Sequence, residues 1–62
     1  MINNLYKAGH KVIWIKYEHL GVGIIKNVER YGYVIEFPDN EVRAYFRDDE
    51  LRLASSLELA LN

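Results

Sequence analysis

The apolar residues of this chain come in short segments rich in β-branched and aromatic side chains, each closed by glycine, aspartate, asparagine or proline. Val12–Ile15, Ile24–Ile25, Val34–Phe37 and Val42–Phe46 follow one another at the spacing of short strands joined by turns. Nothing before Ala54 repeats with a helical period. Such a pattern excludes a helical bundle and predicts an all-β fold.

The first strand is expected over about Lys11–Tyr17. Gly21-Val22-Gly23 opens the second, which runs through Ile24, Ile25 and Val28. Glu29-Arg30-Tyr31-Gly32 reads as a tight turn, since Gly32 tolerates the positive φ that a short hairpin demands. Tyr33–Phe37 forms the third strand, and Pro38-Asp39-Asn40 a second turn in which proline fixes φ. Glu41–Phe46 forms the fourth. The acids Asp48-Asp49-Glu50 suit the start of a single helical turn, where unpaired N–H groups favour negative charge. Leu51 and Leu53 follow in a short closing strand.

Ser55-Ser56-Leu57-Glu58 fits a capping box, in which Ser55 caps the helix and Glu58 reaches back. Leu53, Leu57 and Leu61 recur every four residues, so one side of this helix is apolar. Isolated helices shorter than roughly 12 to 15 residues are unstable in water, so this one must dock on something.

Alternation assigns the interior. Val12, Trp14, Ile25, Val28 around a bulge, Ile35, Phe37, Val42, Ala44 and Phe46 are expected to point inward, with Leu51 and Leu53 plugging the end. The same parity turns Ile13, Ile15, Ile24 and Tyr45 outward. Leu57 and Leu61 are expected to cover the exposed isoleucines, because monomers seldom leave large apolar patches bare.

A chain of 62 residues makes one domain, 1–62, and one this small buries only about 60% of its unfolded surface. It has no cysteine, so neither a disulfide nor a thiolate metal site can reinforce it. Eight Lys and Arg against nine Asp and Glu give a net charge of −1, without an overall field for nucleic acid or anionic membrane. Met1–Lys7 lacks the apolar core of a signal segment, and Val12–Ile15 falls far short of the roughly 20 residues that span a bilayer. A soluble, cytoplasmic protein is expected.

The residues Tyr6, Gly9 and Val12, then Leu20-Gly21-Val22-Gly23-Ile24-Ile25, then Val34-Ile35-Glu36-Phe37-Pro38-Asp39-Asn40, then Leu51 and Leu53, resemble small Tudor-like barrels. They are most similar in pattern to the Tudor-like tail domain of bacterial repair helicases of the UvrD and PcrA type. The resemblance covers about Tyr6–Leu53. In this chain His10 stands where that pattern commonly has an aspartate, Asp39-Asn40 where it has an acidic-Gly turn, and Leu20 where it has an aromatic. The resemblance implies a five-stranded SH3/Tudor-like barrel over about 6–54, followed by the short helix at about 55–61. It also implies contact with RNA polymerase, as in the helicases, or with the nucleic acid, ribosomes or modified peptides that related barrels bind; one fold serves many functions.

No motif for chemistry accompanies the fold. Gly21 and Gly23 open a strand, whereas a phosphate-binding loop or a dinucleotide fingerprint opens a helix. His10 and His19 stand nine residues apart without a zinc-site spacing, so no metal is expected. A small barrel fills its interior with side chains and leaves no pocket to set two carboxylates apart in pKa, so neither catalysis nor a cofactor is expected.

Five tyrosines, two phenylalanines and one tryptophan exceed what a core of this size uses. With Trp14, Phe37 and Phe46 in the interior, Tyr17, Tyr31, Tyr33 and Tyr45 remain for the surface, where amphipathic rings anchor protein partners. Together with Arg43 and Arg47 they form the expected contact set of a non-catalytic interaction module, an accessory or regulatory subunit docking on a transcription or repair assembly. Lys16, Lys26, Arg30, Arg43 and Arg47 alternate with these rings, which leaves weak single-stranded nucleic-acid binding as an alternative. A structural homo-oligomer is the third, built on the outward isoleucines and open strand edges.

Overall fold

The computed structural model describes residues 5–61. Met1–Asn4, the beginning of the stretch read for a signal segment, and Asn62 lie outside them. Five antiparallel strands, β1 (Lys11–Trp14), β2 (Gly23–Glu29), β3 (Gly32–Glu36), β4 (Val42–Phe46) and β5 (Leu51–Leu53), form one sheet in the order β4-β3-β2-β1-β5. A helix, α1 (Ser56–Ala60), follows β5 as the last element among the described residues. Among the described residues no helix is long and apolar enough to cross a membrane.

The expected closed barrel is corrected to an open sheet. Its edge strands, β4 and β5, are joined through a 3-10 turn at Asp48–Glu50 rather than paired with each other. Curvature nevertheless gives the sheet one interior: Tyr6, Val12, Ile25, Tyr33, Ile35, Phe37, Phe46 and Leu51 form a single buried cluster, with Trp14, Leu20 and Val28 packed against it. Gly23 lies at the tightest point of this interior. A Cβ there would stand 2.6 Å from Ile35 Cγ2, so only glycine fits without a shift of the core.

The first strand is shorter than expected. Beyond Trp14 neither neighbouring strand continues beside it, since β2 pairs only with Lys11 and Val12, and β5 ends at the Trp14–Leu51 pair. Backbone groups left without a ladder must bond locally, and Ile15–Leu20 accordingly coils into a 3-10 segment broken at Tyr17 (φ −131°, ψ 58°).

Two bulges set the side-chain parity. In β2 the pairing steps from Ile25–Ile35 to Asn27–Val34, so one extra residue enters β2 and both Ile25 and Val28 reach the interior, as expected. In β4 it steps from Ile35–Arg43 to Tyr33–Phe46, three residues against two, with Tyr45 at φ 69°. Arg43 therefore shares the inner face with Ile35 and Phe46. Val42 pairs with Glu36 on the outer face and is 57% exposed, and Ala44 is exposed as well. Both had been expected inside, because the sequence pattern carries no mark of this bulge.

Three further expectations are corrected. Leu53 is 58% exposed at the end of β5, so Leu51 alone plugs the interior. Ile13, expected outside, is buried on the opposite face of β1, outside the core cluster. Its cross-strand neighbour Arg52 draws Glu18 and Glu58, and the segments that carry them, toward that face. Leu57 and Leu61 do not cover the isoleucines; they are 70% and 78% exposed.

The helix is held by polar groups instead. Ser55 Oγ accepts the Glu58 N–H at 3.2 Å and Glu58 Oε1 accepts the Ser55 N–H at 2.8 Å, the expected capping box. Arg52 grips the same carboxylate with both terminal nitrogens, at 2.8 and 2.6 Å.

Candidate functional site

The six residues expected to form one contact set divide into three groups. Tyr33 belongs to the interior and is corrected from a surface role. Parity places it inward opposite Phe46, and its hydroxyl accepts the Tyr6 N–H at 3.2 Å while donating to Asp48. Burial, then the bond to Asp48, pushes its pKa above the ordinary value of 10.0.

Tyr31 and Tyr45 come together at one end of the sheet. Tyr31 lies in the turn between β2 and β3, and Tyr45 on the β4 bulge opposite; their ring centroids are 4.9 Å apart with planes at 38°. Both rings are largely exposed, at 58% and 67%. Gly32 explains the approach of the two segments. With φ at 149° it brings the start of β3 against the bulge, where a Cβ would lie 2.7 Å from the Phe46 carbonyl oxygen. Beside the ring pair runs a groove of about 480 Å³, whose rim carries Arg30 and Arg47 together with Glu29, Asp48 and Asp49. Arg47 is highly exposed and meets Asp49 only at 4.0 Å, so its guanidinium remains available.

Tyr17 and Arg43 lie on another part of the surface, along a groove with Trp14, His19 and Leu20. Tyr17 packs edge-on against Trp14 at 4.4 Å. Arg43 is committed within the molecule. Its two terminal nitrogens bond the Asp39 carboxylate at 3.3 and 2.9 Å, and its guanidinium carbon lies 5.2 Å from the Phe37 ring centre. The guanidinium bond, then the Glu41 N–H, holds the Asp39 carboxyl below its ordinary range.

Sequence reasoning missed Trp14 as a surface residue. It packs against Phe46 at 4.7 Å and Phe37 at 5.8 Å, yet remains partly exposed and lines two grooves. Alternation alone assigns it to the core; the β1 ladder ends at its own pair with Leu51, which leaves its outer edge uncovered, and nothing in the sequence marks that end. Asp49, which borders the grooves on both sides of its turn, was read only as a helix-starting acid.

Of the other basic residues, Lys26 meets Glu36 at 3.5 Å across the sheet, and Arg52 is taken up by Glu58 and Glu18. Among the described residues no group of three metal-ligating side chains converges. Comparison with protein-family models, with curated proteins and with solved structures yields no match. The likeness to the helicase tail domains therefore rests on the residue pattern alone.

Proposed function

We propose that this domain is a non-catalytic protein-interaction module whose contact centre is the Tyr31–Tyr45 pair. The observation that carries this reading is the backbone of Tyr45. A bulky residue at φ 69° sits in the left-handed region, where its Cβ crowds the following carbonyl, at a cost of roughly 1–2 kcal/mol. At the other non-glycine residue with positive φ among the described residues, position 40, the residue is asparagine, which tolerates that conformation. A tyrosine kept where asparagine or glycine would be more stable, with its ring exposed against a second ring, is the mark of a side chain retained for contact.

The strand order, with β1 between β2 and β5, supports an SH3/Tudor-like relationship. The helicase resemblance makes a transcription or repair assembly, RNA polymerase among them, the first partner to test. Mixed charge around the groove favours a protein surface over a phosphate backbone, because Glu29, Asp48 and Asp49 would repel the latter.

Replacing Tyr31 by serine tests the reading. Tyr31 is an exposed turn residue, so the variant melts within a few degrees of the wild type. Capture of a stoichiometric protein partner from a lysate of the source cells by the immobilised domain is expected to be lost in this variant. Capture at wild-type level by Tyr31→Ser would refute the assignment.

A further inference from the structure

The outer face of the sheet is covered on one side only. At β1 and β5 it carries the buried Ile13 and its neighbour Arg52, and the bond from Arg52 to Glu58 draws α1 to that side. Across β2, β3 and β4 the same face is bare. Ile24 pairs with Glu36 and Glu36 with Val42, so these side chains stand in one row across the strands, with Val34 two residues before Glu36 on the same face. Ile24 remains 41% exposed, Val42 more so, and Val34 is half-buried. The charge of Glu36 in their midst is offset by Lys26. The helix has a bare face too: Glu58 turns toward its own sheet, while Leu57, Leu59 and Leu61 are all exposed. These two apolar surfaces do not meet within one chain, because Arg52 holds the helix beside β5 at one edge of the sheet and Val42 lies on the other.

We propose that two copies of this chain pack outer face to outer face about a two-fold axis, the α1 leucines of each covering Ile24, Val34 and Val42 of the other. A two-fold interface requires each surface to find its complement on an identical molecule, and the helix stripe and the bare strands supply both halves on one chain. Association meets little repulsion, since eight basic residues stand against nine acidic ones. Size favours this arrangement over a pairing of the two helices alone. A stable interface covers about 800 Å² on each partner, about a sixth of the 4528 Å² that this molecule exposes. A helix of five residues is too short to provide that by itself, whereas the helix and the bare strands together contribute twice, once from each copy. A chain of 62 residues without a disulfide gains from such burial, as small domains commonly do from oligomerisation. Tyr31 and Tyr45 lie toward the opposite ends of β2 and β4 from Ile24 and Val42, so the dimer leaves the tyrosine site of each copy open.

Sedimentation of the full chain at neutral pH, from about 10 µM to about 1 mM, tests the assignment. The mass is expected to rise with concentration toward that of two chains and no further, because a two-fold interface is closed. In a sample mixing isotope-labelled and unlabelled chains, intermolecular Overhauser contacts are expected between the leucine methyls of α1 and the methyls of Ile24 and Val42. Val42→Lys and Leu61→Lys, both at exposed positions of the single chain, are each expected to weaken association at least about ten-fold by burying an unpaired charge. The melting temperature of the dilute protein stays within a few degrees in both variants, which shows that they fold. Tyr31→Ser is expected to associate as the wild type does. A strict monomer at the highest concentration, a mass that climbs beyond two chains, association indifferent to either lysine substitution, or contacts that join the α1 leucines only to one another would each overturn the proposal.

Discussion

The phenol of Tyr33 joins segments far apart in the chain. It accepts the backbone N–H of Tyr6, donates to Asp48 at the turn before β5, and its ring packs edge-on against that of Tyr6 at 5.6 Å. Tyr6 in turn donates its hydroxyl to the Leu51 carbonyl at 3.3 Å. Removing the Tyr33 oxygen leaves a buried N–H without an acceptor, an asymmetric loss that costs about 1–3 kcal/mol. Tyr33→Phe is therefore expected to lower the melting temperature by at least about 4 °C for a domain of this size. An unchanged melting temperature would show that water replaces the hydroxyl. The same residue shows why type alone misassigns a surface. Tyrosine serves both interior and rim, and only strand parity separates Tyr33 from Tyr31 and Tyr45.

At the scale of elements, the positions of β2 to β5, the two turns at Arg30–Tyr31 and Pro38–Asn40, the β2 bulge and the capped start of α1 were legible, because each is marked by residues close in sequence. What was not legible depends on partners distant in sequence. β1 stops at Trp14 because its neighbours end, and β4 changes parity at the Tyr45 bulge, against which only a residue without a Cβ fits at position 32. The helix illustrates the same division. Its capping box is local and was readable, while its attachment through Arg52 rather than Leu57 and Leu61 depends on β5 and was not. That attachment has a pH signature. The Arg52 guanidinium, then the Ser55 N–H, holds the Glu58 carboxyl down to about 2 from 4.5. A carboxyl depressed in the folded state stabilises it fully above its unfolded pKa and loses that contribution as pH falls through the folded one. The helical chemical shifts of Ser56–Ala60 are thus expected to persist at pH 5 and to collapse between about pH 4.5 and 2. Leu57→Ala with Leu61→Ala, both on exposed positions, should leave them unchanged at neutral pH. Collapse on the leucine substitutions, or none in acid, would contradict a helix held by charge.

For the molecule as a whole, one interior and two open edges define what the surface can do. β5 has three residues and β4 is bulged at Tyr45, so neither edge offers the long, flat template that pairs readily between chains. On the proposed reading, recognition falls instead to the exposed Tyr31–Tyr45 pair beside the Asp48–Glu50 turn. If the fold carries a strained tyrosine for the sake of contact, as proposed, stability and binding oppose one another at position 45. The direct measurement is thermal unfolding and partner capture on the same Tyr45→Asn protein. Asparagine accepts the left-handed backbone, so relief of roughly 1 kcal/mol should raise the melting temperature by about 4 to 8 °C while capture is lost. A variant that melts no higher than the wild type, or that captures its partner undiminished, would contradict the account.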